Sequence, residues 1–169
     1  IVAAQNRNRP VVDYVATGFC LKKPVIKTLA NEMDVSMPAN FARLQALLPD
    51  WEDFIEHIQA CSVTDYEIKD AIESCHKETN TILCPHAATA YASLPAVTSD
   101  PRAWTIAAIA HPIKYTKIIE PIIKQKIEPS ASIAKQLKKP SVVSELPIDG
   151  HTLRQIVLDL QTEEIAVAC

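Results

Sequence analysis

The residues able to do chemistry gather in two short stretches. "ILCPHAATAYASLP", residues 82–95, sets Cys84, Pro85 and His86 ahead of small apolar residues, and "TIAAIAHPIKY", residues 105–115, ends an apolar run at His111–Pro112 with Lys114 just beyond. Each reads as a strand-like run that stops where helix-compatible sequence begins, and in open α/β sheets ligands sit outside the carboxyl ends of strands. His86 and His111 are therefore candidate ligand-facing groups; the alternative for each is a polar side chain satisfying a buried loop. Lys114 is either a cation facing a ligand or a solvated lysine on the next turn. Asn6 and Asn8, at the end of the first strand-like run, offer their amides to a ligand or to turn hydrogen bonds.

Other chemistries fit less well. Cys75–His76 and Cys84–Pro85–His86 contain zinc-ligand types, but their spacing matches no standard knuckle, and core cysteines with a capping histidine explain them more simply. No G-x-S-x-G elbow is present for a Ser-His-Asp hydrolase. Two glycines, Gly18 and Gly150, against 12 prolines leave no glycine-rich phosphate loop. A formal net charge of −3 gives no electrostatic reason to expect nucleic acid or an anionic membrane as partner. No apolar run approaches the ~20 residues that span a bilayer. The five cysteines are odd in number, form no CxxC pair and accompany no signal peptide, which favours reduced thiols and a cytoplasmic location.

The elements that must position these residues alternate in type. Residues 1–5 read as a buried strand cut from something longer, followed by a helix entered at Pro10 and closed by Gly18. "MDVSMPANFARLQALLPD" describes an amphipathic helix with Ser36 or Asp34 as cap and Phe41, Leu44 and Leu48 on one face. Residues 51–58 are weakly helical. Thr64 and Glu67 form a capping box ahead of an apolar stripe of Ile68, Ala71, Ile72 and Cys75, and Asn80 ends that helix. "TILC" is short and β-like, Pro85 suits a first helical turn, and residues 87–94 are helical by propensity. "WTIAAIA" has the continuous apolar character of a central strand. A helix over 114–126 is interrupted by Pro121. The chain is loop-like after Pro129, and a last helix carries Leu153, Ile156, Val157 and Leu160. The expectation is a layered α/β domain, one compact unit over residues 1–169.

Four segments, in order, resemble one family. "AAQNRN" is similar to a strand-end A-T-N-x-N-D pattern, and "LANEMDVSMPANFARL" to L-S-x-A-M-D-V-x-x-P-x-N-x-x-R. "PHAATAYASL" resembles a P-H-A/T-A-x-A/G stretch and "AHPIKY" resembles A-H-P-A-K-F, with "ELPIDGHTLRQI" similar to a closing L-P…L-R segment. The resemblance is to the C-terminal part of threonine synthase, a pyridoxal-phosphate enzyme of the tryptophan-synthase-β-like fold (fold type II). It implies that the complete protein converts O-phospho-L-homoserine and water to L-threonine and phosphate. It also implies a cleft lined by Asn6, Asn8, His111 and Lys114, with His86 behind them. The lysine that holds the cofactor and the S-G-N-F-G phosphate-binding stretch precede the matched region in the family. The implied partners are therefore that N-terminal part and a phosphorylated amino acid, and the chain alone is expected to be inactive and to hold no cofactor covalently. The chain departs from the pattern at Gln5 for Thr, Arg9 for Asp, Cys84 for a carboxylate cap, and Ile109 where the family carries the Thr implied to face the cofactor ring.

Overall fold

The computed structural model describes the backbone of residues 1–141, 143 and 145–167, and the side chains of these except 101 and 160–167. The side chain of Leu160, singled out above, and residue Cys169, one of the five cysteines, lie outside the described residues. Contacts group the chain into two units, Ile1–Glu128 and Pro129–Cys169, where the sequence pointed to one.

In the first unit, strand β1 (Val2–Gln5) leads to helix α1 (Pro10–Thr17), helices α2 (Phe41–Leu47) and α3 (Trp51–His57), and strand β2 (Gln59–Ser62). Helices α4 (Asp65–Thr79), α5 (Pro85–Val97) and α6 (Thr116–Ile123) follow. The second unit contains α7 (Ala131–Leu137) and α8 (Gly150–Val167). Among the described residues the sheet has two strands, parallel, with Val2 opposite Gln59 and Gln5 opposite Ser62. The crossover from β1 to β2 runs through α1–α3, as a parallel pair requires.

Two apolar clusters hold the first unit. Val11, Tyr14, Phe41, Phe54 and Ile58 form one, against Ala3 and Ala60, which are partners in the sheet. Tyr14, Phe41 and Phe54 meet edge to face with centroids 4.9–5.9 Å apart, the geometry that aromatic quadrupoles favour. Gly18 ends α1 at φ 74°, a left-handed cap that costs glycine little. The second cluster joins Ile68, Ala71 and Ile72 of α4, Cys84, Ala87 and Ala88 around the start of α5, and Tyr115 and Ile119.

The expected stripe on α4 is buried, and its capping box is complete: Glu67 N–H donates to Thr64 Oγ1 at 3.3 Å and Thr64 N–H to Glu67 Oε2 at 2.7 Å. Asn80 closes the helix at φ 56°. Other expectations change. Helix α2 starts at Phe41 with Asn40 at the N-cap position and no side-chain cap, and Asp34, expected there as a cap, accepts from Thr28 instead. β2 and α7 were not foreseen. Neither "TILC" nor "WTIAAIA" is a strand: residues 104–110 are irregular, and among the described residues the backbone of 105–110 makes no hydrogen bond. A strand exists only through its ladder, and an apolar run does not supply one. On α8, Leu153 and Val157 are exposed.

Candidate functional site

At the carboxyl end of β1 the chain closes on itself through polar side chains. Asn6 is fully buried; its Nδ2 donates to Thr28 Oγ1 at 2.7 Å, Asp34 Oδ1 at 2.8 Å and the Ala30 carbonyl at 3.1 Å, while its Oδ1 accepts from Asn8 N–H at 2.8 Å. Asn8 Nδ2 donates to the Ile26 carbonyl at 2.7 Å and to Asp34 Oδ1 at 3.0 Å, and its Oδ1 accepts from Ile26 N–H. Asp34 also accepts from the hydroxyl and N–H of Thr28, at 2.7 and 2.9 Å. The carboxylate thus gathers donors from two separate segments, residues 6–8 and Thr28. Gln5 reaches over the start of α1, its Oε1 accepting from Val11 and Val12 N–H at 3.0 Å each. It satisfies two of the helix's orphan donors, where Arg9 at the N-cap supplies no side chain.

His86 sits in the first turn of α5, 4% exposed. Its Nε2 accepts from Glu32 N–H at 3.1 Å, so the uncharged ring ties α5 to the segment that Asp34 organises. Its Nδ1 is buried without a partner among the described residues. Burial pulls the imidazole below its ordinary value; Glu32 and Asp34 act in the opposite direction and Lys114 in the same one. Tyr115 packs its ring on His86 at 5.0 Å and donates its hydroxyl to Glu32. Burial and that bond push the phenol up to about 12, while the same bond holds the Glu32 carboxyl below its usual range. Cys84 caps α5 after all: its Sγ accepts from Ala87 N–H at 3.3 Å.

Two cavities flank this junction. One, of about 370 Å³, is lined by Ala4, Gln5, Asn8, Glu32, Met33 and Phe41 among others. The other, of about 430 Å³, runs between β1 and residues 104–109 over α5 and includes His86 and Ile109. Ile109 is 65% exposed and so belongs to no core. His111 is exposed and caps a short turn, Nδ1 accepting from Ile113 N–H at 3.2 Å. Lys114 is exposed, close enough to Glu32 and His86 to act on both electrostatically. The structure therefore brings Asn6, Asn8 and His86 to one junction, sets Ile109 across a cavity from β1, and leaves His111 and Lys114 outside both cavity linings. Sequence reasoning missed Asp34, Thr28, Glu32 and Tyr115. The M-D-V motif was the available signal for Asp34, although it was read there as a helix cap.

No family model matches the chain. Threonine synthase from Serratia marcescens is 28% identical over 159 residues, covering 94% of this chain and 37% of that protein. The crystal structure of threonine synthase from Escherichia coli superposes with a TM-score of 0.73 at 27% identity, covering 94% of this chain and 37% of that one. A pyridoxal-phosphate-bound threonine synthase from Brucella melitensis shares the fold, with a TM-score of 0.71 at 20% identity over 82% of this chain and 35% of its own. The chain thus spans about 37% of the length of the curated relatives it matches, in their C-terminal part. In sequence and in fold together, it resembles the C-terminal part of threonine synthase.

Proposed function

We propose that this chain forms one side of the cleft of a pyridoxal-phosphate-dependent threonine synthase, which in its complete form converts O-phospho-L-homoserine and water to L-threonine and phosphate. One observation carries the reading: the strand-end Asn pair, the M-D-V segment and the P-H stretch, three motifs scattered over eighty residues, converge on Asp34, Glu32 and His86 beside two cavities. Pyridoxal phosphate supplies an electron sink, and the protein must anchor it and cradle its phosphate on backbone amides. Neither cavity is lined by a lysine or a glycine among the described residues, so this chain's side chains do not by themselves fit the cofactor. The anchor and cradle belong to the N-terminal part of the complete protein, which is this chain's partner, and the phosphorylated amino acid is the second partner.

In this reading Asn8 borders the cleft and Asn6 acts through the loop it holds. His86 supports Glu32 from behind, and Lys114 and His111 lie toward the substrate side. No described helix is long and apolar enough to cross a membrane, and the proposed location is cytoplasmic. Full-length protein supplied with pyridoxal phosphate is expected to release phosphate from O-phospho-L-homoserine and form threonine, while the 169-residue chain does neither. A full-length protein with cofactor bound and no phosphate release would overturn the enzymatic reading.

A second reading has one observation in its favour. Ile109 offers the larger cavity a hydrocarbon where the resemblance implies a hydroxyl facing the cofactor ring. A catalytically impaired relative that binds a phosphorylated ligand or a protein would tolerate that change. Ile109→Thr in the full-length protein separates the two. Under the enzymatic reading turnover rises more than substrate affinity changes, since only interactions stronger in the transition state raise kcat; under the second, phosphate release stays at background in both proteins.

A further inference from the structure

Two further departures from the resembled pattern occur as a pair. Glu32 stands at the alanine of L-S-x-A-M-D-V and Tyr115 at the phenylalanine of A-H-P-A-K-F. Across 83 residues of chain they meet in one hydrogen bond, the Tyr115 hydroxyl donating to Glu32 Oε1. The Tyr115 ring belongs to the second apolar cluster, a place that a phenylalanine fills equally well. Its hydroxyl has one hydrogen-bond partner among the described residues, and that partner is Glu32. From the other side, Glu32 N–H donates to His86 Nε2 at 3.1 Å. Both the backbone and the side chain of an exposed glutamate are thus fixed, where a surface carboxylate ordinarily keeps its rotamer freedom.

The fixed carboxylate lines the 370 Å³ cavity and is the one charged group in that lining among the described residues. The other walls are apolar, as at Met33, Val35 and Phe41, or carry the amides of Gln5, Asn8 and Asn40. Tyr115 occupies Oε1 of Glu32, and no described residue bonds to Oε2. The ion pairs among the described residues do not include Glu32, so the nearby Lys114 does not neutralise it by contact. The Tyr115 bond, with His86 and Lys114 acting in the same direction, holds the carboxyl below its usual range and therefore ionised at neutral pH.

We propose that the Tyr115–Glu32 pair makes this cavity a recognition site for the ammonium group of a small amino compound, with the free oxygen of Glu32 as counter-ion and Tyr115 as the positioning residue that holds it. A pocket with apolar walls and one placed charge selects a ligand with a hydrocarbon body and one opposite charge. The same carboxylate repels a phosphate. The alanine and phenylalanine of the pattern supply neither effect. The inference goes beyond the proposed function, which requires no carboxylate at this position, and it involves no cofactor.

The test is a titration of the 169-residue chain followed by residue-resolved NMR at constant ionic strength. The probe is n-butylammonium chloride, with butyl phosphate as the charge-reversed control and 1-butanol as the uncharged one. Saturable shifts are expected at the amides of Glu32, Met33 and Asn40 and at the Glu32 carboxyl carbon, with the amine bound about tenfold or more tighter than either control. Glu32→Gln keeps an oxygen for the Tyr115 hydroxyl and the backbone bond to His86, so it removes the charge and leaves the segment folded. It should weaken amine binding about tenfold or more, to the level of butanol. Tyr115→Phe should weaken it about threefold. It should also move the Glu32 carboxyl resonance toward that of a solvated glutamate before any amine is added, which a loss of packing alone does not do. Glu52→Gln, at an exposed carboxylate on α3, should change nothing. Absence of saturable amine binding, equal binding by Glu32→Gln, or butyl phosphate bound as tightly as the amine each overturns the proposal. None of these readouts involves turnover, so their failure leaves the proposed function standing.

Discussion

Two irregular segments border the same strand, and they are held in opposite ways. Residues 28–34 have little regular structure beyond a single 3-10 turn, yet their backbone is tied down from every side. Thr28 N–H bonds to Asp34, Leu29 N–H to Asp65 Oδ1, Glu32 N–H to His86, and the Ala30 carbonyl to Asn6. Residues 104–110 are equally irregular and far more apolar, and the backbone of 105–110 bonds to nothing among the described residues. Order in a loop therefore comes from side chains that replace a ladder, and hydrophobicity does not substitute for it. The first segment finds its partners within this chain; the second finds none for its backbone among the described residues.

The largest effect should come from Asp34→Ala, which strips acceptors from Asn6, Asn8 and Thr28 at once. A cost of about 3 kcal/mol in urea denaturation follows from leaving buried donors unpaired; a loss below a third of that would mean the segment is held by something else. Thr64→Ala is expected to cost about 1 kcal/mol, because the same helix start presents Asp65 to Leu29. An unchanged midpoint would remove the cap from the account.

His86 gives a pH signature. Its pKa is depressed by burial below the ordinary 6.5, so the unfolded chain takes up the proton first. The stabilisation is fully present above the unfolded value and is lost as pH falls from about 6.5 toward the folded value. Midpoints measured between pH 8 and 5.5 should decline more steeply in the wild type than in His86→Gln; parallel slopes would show that another group titrates. The smallest effect belongs to the open segment, where Ile109→Ala in the isolated chain should change stability by less than about 0.5 kcal/mol. A larger loss would mean that residues 104–110 are packed as firmly as 28–34.

The same contrast explains what the sequence reveals. The α4 box is legible because Thr64 and Glu67 satisfy donors within one turn, and the stripe behind it repeats at helical spacing. Proline-first α1 and its glycine stop are local in the same sense. Asp34 is not: besides Thr28 its partners are Asn8 and Asn6, 26 and 28 residues away, and a lone acidic residue before a helix looks like a cap whether or not it is one. β2 is four small or polar residues, "QACS", whose strand character comes from β1 beside it. Residues 104–110 fail in reverse, since their composition announces a strand whose ladder the described residues do not provide. Cys84 shows a milder version, with a thiol accepting the Ala87 N–H that a carboxylate was expected to take.

The most direct measurement is residue-resolved amide hydrogen exchange on the 169-residue chain. Thr28, Leu29 and Glu32, each bonded to a side chain from another segment, should be strongly protected, while residues 105–110 exchange near the rate of an unstructured peptide. Comparable protection of the two segments would contradict the account, because it would mean that residues 104–110 already have the partner that the structure leaves them without.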